Sequence, residues 1–340
     1  MATAVKRAPC SIVRTLTGVA VMSTGSYVPE RVVTNDQLAV ELGCDPEWIV
    51  QRTGIRERRF VAEGEASSDM AIEAARQCLQ RADVAAAEVD LLIVATWTPD
   101  VHGPATACLV QDRLGIEAPA FDISSACSGF LYALVSAAQF IATGCARRAL
   151  VIGVDTMSRV INPADQRGYP LFGDGAGAVL LGPGNANQGL LSYTLGSDGA
   201  GAELLIKRMG GSRMPLDGRQ TGQGLEFLAM QGQPVFRWAV QLFCGVIPGL
   251  LDHVGLSVDQ VDLYIMHQAN LRILSAAAEK LDIDMSRVFV NLDRYGNTAA
   301  ASVPLALDEA CRQGDVQPGR RIVLGGFGAG LSWGAAVVGW

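Results

Sequence analysis

Histidine is scarce in this chain: there are three in 340 residues, and none lies close to another. The eight cysteines, at 10, 44, 78, 108, 127, 145, 244 and 311, form no CxxC and no close pair. No zinc-type spacing is therefore present, so no metal is expected. Scattered cysteines in a chain of this length read as free thiols in a reducing compartment. Charge is sparse as well, at 18% of residues, and the formal net charge is −7. A nucleic-acid binder usually carries a basic surplus, so nucleic acid is not an expected partner. Long hydrophobic runs are missing too. After Lys6, Arg7 and Arg14 the apolar stretch is broken by Thr17, Gly18, Ser23 and Gly25. That is too weak for a signal peptide, and no segment reads as a membrane span. Residues 1–14 read as a loose leader, and the expected location is the cytoplasm.

What the chain has in quantity is apolar residues, 49%, and glycine, 38 residues. Its length suits two domains or one large duplicated one. An internal repeat favours duplication. Val89-Asp90-Leu91-Leu92-Ile93 recurs as Val261-Asp262-Leu263-Tyr264-Ile265, and 261 − 89 = 172. Arg148-Ala149-Leu150-Val151-Ile152-Gly153 recurs as Arg320-Arg321-Ile322-Val323-Leu324-Gly325, again 172 residues on. Buried apolar strands alternating with helices imply two α/β halves, each with a mainly parallel sheet. The junction falls near Gly182-Pro183-Gly184, which gives halves of 1–184 and 185–340.

Helix signals are clear in places. Thr34-Asn35-Asp36 caps a helix running to Leu42, and Asp45-Pro46 opens another with proline at its first position. Trp48 and Arg52 then share one helix face. Ser67-Ser68-Asp69 starts a helix through Leu79. Residues 196–235 are glycine-rich and read as an excursion over the site, before a helix resumes from Val235.

Around Cys127 the chain reads Phe121-Asp122-Ile123-Ser124-Ser125-Ala126-Cys127-Ser128-Gly129-Phe130, an apolar run that passes through small residues into helical spacing. A cysteine at a helix start faces unpaired N–H groups that favour thiolate. The alternative is an ordinary small buried cysteine. The 172-residue offset carries Cys127 onto Ala299, inside Gly296-Asn297-Thr298-Ala299-Ala300-Ala301-Ser302. It also puts His267 at the end of a second-half strand, where ligands of parallel α/β sheets gather. A structural histidine and a turn asparagine remain the competing readings of His267 and Asn297. Two G-x-G-x-G runs, at 173–177 and 326–330, lead into β-like segments, so a dinucleotide fingerprint is not expected. Their N–H groups suit an oxyanion hole instead.

Taken together, the blocks at 122–130, His267-Gln268-Ala269-Asn270-Leu271-Arg272 and 296–302 resemble the three active-site blocks of β-ketoacyl-[acyl carrier protein] synthase III. Trp48 to Arg56, Phe172 to Gly177 and Gly328-Ala329-Gly330-Leu331-Ser332-Trp333-Gly334 resemble further blocks of that family. The resemblance covers about residues 17–340. It implies the thiolase-like fold, a duplicated five-layer αβαβα architecture of the α/β class, and a homodimer. It implies Cys127, His267 and Asn297 as the catalytic set, with backbone N–H groups of Cys127 and Ala329 as an oxyanion hole. Trp48, Arg52, Arg167, Gly168, Phe236 and Asn270 are the implied CoA contacts, and Arg272 the implied docking point for an acidic carrier protein. The substrates implied are an acyl-CoA and malonyl-[acyl carrier protein], with no cofactor. The Cys-His-Asn set separates the initiating type from the elongating synthases, which resemble Cys-His-His, and from thiolases, which resemble Cys-His-Cys.

Gly103 departs from the family pattern, which often has a bulky residue there, reaching the partner subunit's acyl pocket. Medium-chain or branched primers are therefore expected. For Arg56, Arg58 and Arg59 a solvated face is at least as good a reading as a docking role. The alternatives are a relative serving a specialised metabolite such as a quinolone or polyketide starter, a papain-like cysteine hydrolase, and a silent acyl-binding paralogue.

Overall fold

The computed structural model of the chain describes residues 12–216 and 222–340. Residues 1–11, which include Cys10 and most of the segment read as a leader, lie outside them. The chain runs β1 (Arg14–Thr17), β2 (Val19–Tyr27), β3 (Val32–Thr34), α1 (Asn35–Leu42), α2 (Pro46–Thr53), β4 (Glu57–Arg59), α3 (Ser67–Ala82), β5 (Leu91–Ala95), α4 (Thr106–Leu114), β6 (Ala120–Ile123), α5 (Gly129–Ala142) and β7 (Ala149–Thr156). It continues with β8 (Asp174–Pro183), β9 (Gly189–Ser197), β10 (Leu205–Lys207), β11 (Leu228–Met230), α6 (Gly232–His253), β12 (Leu263–Met266) and α7 (Leu271–Leu281). The last elements are α8 (Leu292–Tyr295), α9 (Ser302–Gln313), β13 (Arg321–Gly328) and β14 (Ser332–Gly339).

Local chemistry sets the helix starts. Thr34 closes a capping box with Gln37 on α1, and Asp45 accepts the Glu47 N–H ahead of Pro46 on α2. On α3 the cap position falls to Ala66, whose N–H donates to Asp69 Oδ2 at 2.8 Å. Ser68 sits inside the helix, bonded to Asp100.

Two five-stranded sheets form the frame, in the orders β2-β8-β7-β5-β6 and β1-β9-β14-β13-β12. Helix α3 packs outside the first sheet together with α4, and α6 and α7 pack outside the second. Helices α5 and α9 lie between the sheets, in one core built from Ile93, Val151, Leu134, Leu307, Ile265 and Leu324 among others. This is the five-layer αβαβα thiolase-like arrangement. The sheets are mixed, where a mainly parallel pairing was expected. Strand β5 runs parallel to β6 and β7, and β12 to β13, while the remaining partners are antiparallel. The reason is connectivity: no α-helix separates β7 from β8 or β13 from β14, so each pair folds back on itself.

The repeat is real but not in one register. Leu91 pairs with Ala149 in the first sheet, and Leu263 pairs with Ile322 in the second. The offset is 263 − 91 = 172 for the first strand and 322 − 149 = 173 for the next, so one residue is inserted between them. Strand β1 joins the second sheet through β9, and Val288 meets Tyr264 in a single parallel bridge where the first half has β6.

Glycines bring the central helices close to the sheets. Gly153 pairs with Gly177 and Gly326 with Gly334. A Cβ on Gly153 would collide with the Ala300 carbonyl, and one on Gly177 would lie 2.5 Å from the Leu305 nitrogen. A Cβ on Gly334 would lie 2.6 Å from the Leu131 Cβ, and one on Gly326 3.3 Å from the Cys127 carbonyl. Each half's sheet thus cradles the other half's central helix by its N-terminal turn. Helix α6 alone, among the described residues, is long and apolar enough to cross a membrane. Its Trp238, Leu242, Phe243 and Leu250 are buried in the core with α7 and the second sheet, as in a core helix.

Candidate active site

Strand β6 ends at Ile123, and a one-turn 3-10 segment, Ala126–Ser128, leads into α5. Ala126 takes φ +45°, a left-handed conformation that costs a non-glycine residue about 1 kcal/mol or more. This turn presents Cys127 at the N-terminus of α5, 8% exposed. Ser128 Oγ donates to the Ser125 carbonyl at 2.8 Å and meets Ser332 Oγ at 2.9 Å. Ser332 Oγ donates to the Ala329 carbonyl at 2.8 Å. Serines from both halves therefore tie the Cys127 turn to the Ala329 turn. In the other half the matching turn is centred on Ala299, at φ +48°. The mirror of Cys127 is consequently Ala300 rather than Ala299, a correction that follows from the inserted residue.

His267 follows β12 and is buried. Its N–H donates to the Gly325 carbonyl at 2.7 Å, and its ring meets Phe327 edge-on at 5.3 Å. Nδ1 is sealed without a partner, which leaves Nε2 as the nitrogen available to a ligand. The next residue braces the loop. Gln268 donates from Nε2 to the Met266 and Phe289 carbonyls and from its N–H to Ser302 Oγ, and its Oε1 accepts the Asn291 N–H. Two residues on, Asn270 caps α7 by accepting the Arg272 N–H and donates to the Arg52 carbonyl at 3.0 Å. Its amide is thus committed to holding the tunnel wall together.

Asn297 is held in a single parallel bridge with Phe172: its N–H donates to the Leu171 carbonyl, and its carbonyl accepts the Gly173 N–H. Its Oδ1 accepts the Ala299 N–H at 2.9 Å. That bond fixes which way the amide faces, because the oxygen is spent and Nδ2 is left to donate.

Cys127, His267, Asn297 and Ala329 line one cavity of about 1060 Å³ at the junction of the halves. Trp48, Arg52, Arg167, Gly168, Phe236, Asn270 and Arg272 line the same cavity. Trp48 and Arg52 project together from α2, and the Arg272 guanidinium lies 5.8 Å over the Phe236 ring. The excursion contributes Leu205, Leu228 and Met230 to the wall, as expected. Gly103 is the one predicted site residue outside it. It is exposed, and a side chain there would meet nothing within 4 Å. Phe172, from one of the family-like blocks, packs beside Cys127 together with Trp97, Met157 and Ile161, which the sequence does not single out. No local pattern marks them. Arg58 corrects an expectation: it is fully buried and donates to the Val33 and Pro170 carbonyls and to Asn35 Oδ1, whereas Arg56 is exposed.

The electrostatics overturn one further expectation. Burial raises the Cys127 thiol above its ordinary range, and the charge of Asp155 raises it further. A helix terminus offers up to about 2 kcal/mol, whereas full burial can shift a group by about 3–5 pH units, or about 4–7 kcal/mol. Desolvation wins, and the resting group is a thiol. Burial also lowers His267 to about 3, so its imidazole is neutral.

Two family models match the chain. The one described as 3-oxoacyl-[acyl-carrier-protein (ACP)] synthase III matches residues 121–199, and the one for the C-terminal part of that enzyme matches 251–340. The β-ketoacyl-[acyl-carrier-protein] synthase III of Rhodopirellula baltica is 49% identical, over 96% of this chain and 99% of its own. The crystal structure of 3-oxoacyl-[acyl-carrier-protein] synthase III from Aquifex aeolicus superposes with a TM-score of 0.87 at 40% identity, covering 95% of this chain and 100% of that one. A priming β-ketosynthase of the R1128 polyketide pathway gives the same TM-score at 36% identity, over 97% and 98%. With this identity spread over nearly its whole length, the chain belongs to the β-ketoacyl-[acyl carrier protein] synthase III family, acyltransferases of the initiating condensation in fatty acid synthesis.

Proposed function

We propose that this chain condenses an acyl-CoA primer with malonyl-[acyl carrier protein] through an acyl-Cys127 intermediate, giving 3-oxoacyl-[acyl carrier protein], CoA and CO2. The observation that carries the reading is that Cys127, His267 and Asn297 line one cavity together with Trp48, Arg52, Arg167 and Arg272. The acyl group passes from CoA to the Cys127 sulfur, and the thiol's proton leaves with the CoA sulfur. Splitting the condensation this way replaces one hard step with two easier ones. Malonyl thioester then enters and its carboxylate departs as CO2, which leaves the electron pair as an enolate. Neutral His267, through Nε2–H, and Asn297, through Nδ2–H, donate to the thioester oxygen where that charge develops. The enolate carbon attacks the acyl-Cys127 carbonyl, whose oxygen is held by the Cys127 and Ala329 N–H groups, and the Cys127 sulfur departs as a thiolate that takes up one proton from solvent. Each such donor contributes about 3–4 kcal/mol to lowering the barrier.

Trp48 and Arg52 take the CoA adenine end. Arg167, Gly168 and Phe236 line the pantetheine path, with Asn270 holding its wall. Exposed Arg272 steers the acidic carrier protein. No cofactor enters this scheme. The chain works as a homodimer: β6 is a half-buried edge strand, and Val101 and Phe140 are exposed on the same half. The seven cysteines among the described residues are free thiols, which suits the cytoplasm. Incubation with a mixed acyl-CoA panel, followed by weighing of the Cys127 peptide, tests the first step. An acyl adduct that disappears in Cys127→Ala is expected, and a protein that stays unmodified would end the reading.

A further inference from the structure

Asp155 stands at the C-terminal part of β7, fully buried, and no ion pair reaches it among the described residues. Its Oδ1 accepts the Trp97 N–H at 2.7 Å, the Thr98 N–H at 3.0 Å, the Thr98 hydroxyl at 2.9 Å and the Thr96 hydroxyl at 3.1 Å. Its Oδ2 accepts the Ala300 N–H at 2.9 Å. Five donors without a cation amount to a built anion site, occupied by the chain's own carboxylate.

The duplication gives this arrangement its meaning. At the 173-residue offset Ala300 is the mirror of Cys127, and Asp155 is the mirror of Gly328. In the second copy of the helix start, a carboxylate sits on the Ala300 N–H. In the first copy, the same space in front of the Cys127 N–H is bare, and a Cβ on Gly328 would already lie 2.6 Å from that nitrogen. The fold therefore holds two versions of one pair of N–H groups: Cys127 and Ala329 line the cavity, whereas Ala300 and Thr156 are taken by Asp155 Oδ2 and by Thr98 Oγ1, itself bonded to Asp155. The filled version has neighbours that matter. Its Ala300 N–H follows the Ala299 N–H that orients the Asn297 amide, and its Trp97 N–H belongs to a residue of the cavity wall beside Cys127.

We propose that Asp155 is a positioning residue of the condensation: it fills the mirror oxyanion pocket and thereby holds Asn297 and Trp97 in place around Cys127. The proposal rests on the reading of Cys127 as the acyl acceptor. Its charge acts on the Cys127 sulfur, and His267, kept neutral by burial, lines the same cavity.

The test is Asp155→Asn, whose single carbonyl oxygen cannot face both sets of donors. In a protein that melts as the wild type does, kcat for condensation should fall at least about tenfold, with a smaller change in KM for acyl-CoA. The pH profile for alkylation of Cys127 by iodoacetamide should shift down, because the Asp155 charge that raises the thiol is gone. A folded Asp155→Asn protein with kcat within about twofold of wild type overturns the proposal. Should that variant fail to fold, Thr96→Val removes one hydroxyl donor at constant volume and should move both readouts in the same direction by less; no movement in either overturns the proposal. Alkylation uses no acyl substrate. A wrong reading of the substrates would show as wild-type protein that alkylates but does not condense.

Discussion

Ala126 and Ala299 stand at φ +45° and +48°, 299 − 126 = 173 residues apart, each one residue before the N–H that faces an oxyanion-type pocket. Two non-glycine residues in that strained conformation, at equivalent places, make the turn a feature of the repeated unit. Only the first copy carries a thiol after it, Cys127, where the second has Ala300. The second copy gives up its pocket to Asp155 and contributes Asn297, just upstream, to the shared cavity.

The two glycine cradles differ in tightness, and this predicts an asymmetry. Gly153→Ala drives its new methyl into the Ala300 carbonyl, a backbone atom, whereas the Gly326→Ala methyl lies 3.3 Å from the Cys127 carbonyl and from a movable Leu131 methyl. Overpacking against backbone costs about 2–3 kcal/mol. Chemical denaturation should show Gly153→Ala losing that much and Gly326→Ala losing about 1 kcal/mol or less. Equal losses would mean that the helices do not sit against the sheets as described.

The half-reactions separate the roles of the polar pair. In the proposed scheme His267→Ala and Asn297→Ala each remove a donor to the malonyl thioester oxygen, so decarboxylation should fall about 10²–10³-fold. Neither residue takes part in loading, so the acyl-Cys127 adduct should still form and be visible by mass. Asn297→Asp is the sharper variant, since an ionised carboxylate offers no donor to the enolate although it can still accept the Ala299 N–H. It should load and fail to condense. Normal condensation by His267→Ala would remove the proposed role of His267.

Much of this site is legible in the sequence because its parts are contiguous blocks. Cys127 with its small neighbours, the His267–Arg272 run and the Gly296–Ser302 run each carry their own local signal. The repeat supplied the frame that joins them. What stays hidden depends on contacts between residues far apart in the chain. Asp155 reads as an ordinary strand residue until Ala300, 145 positions away, is found on its carboxylate. Arg58 sits in a run of arginines that looks solvated, yet it reaches inward to Val33, Asn35 and Pro170. The one-residue insertion was invisible because matching short apolar strands tolerates a slip that paired strands do not. The direction of the Cys127 shift was misread for a related reason: a helix start is a local feature, and burial is not.

Protonation should mark the protein's acid limb. The folded state holds His267 near 3, below the 6.5 of a free histidine, because the charged ring cannot be hydrated. A depressed value contributes nothing unfavourable above pH 6.5. As pH falls from 6.5 toward 3 the unfolded chain binds a proton that the folded chain cannot, so stability is lost. By pH 5 the loss from this residue reaches about 2 kcal/mol. Urea midpoints at pH 7 and pH 5 should therefore fall further for the wild type than for His267→Gln. At the other end, alkylation of Cys127 should keep accelerating above pH 9, because burial and Asp155 both hold the thiol up. A plateau below pH 8 would show that the helix terminus outweighs them.

Primer choice turns on two walls. On its own side, Cys127 packs with Trp97, Met157, Ile161 and Phe172, an apolar lining suited to an acyl chain. On the other side, in the proposed homodimer, the partner subunit would close the pocket, with the exposed segment around Gly103 as the proposed wall. If that proposal holds, glycine there leaves space unfilled, and octanoyl-CoA or a branched acyl-CoA should load and condense with kcat/KM comparable to or above that of acetyl-CoA. Filling the space with Gly103→Phe should move the ratio of octanoyl to acetyl kcat/KM at least about tenfold toward acetyl, the size of discrimination a hydrophobic pocket gives for a few methylenes. Trp97→Ala opens the opposite wall and should move the ratio the other way. Wild-type protein that strongly prefers acetyl-CoA and leaves octanoyl-CoA untouched would make Trp97, and not Gly103, the residue that decides.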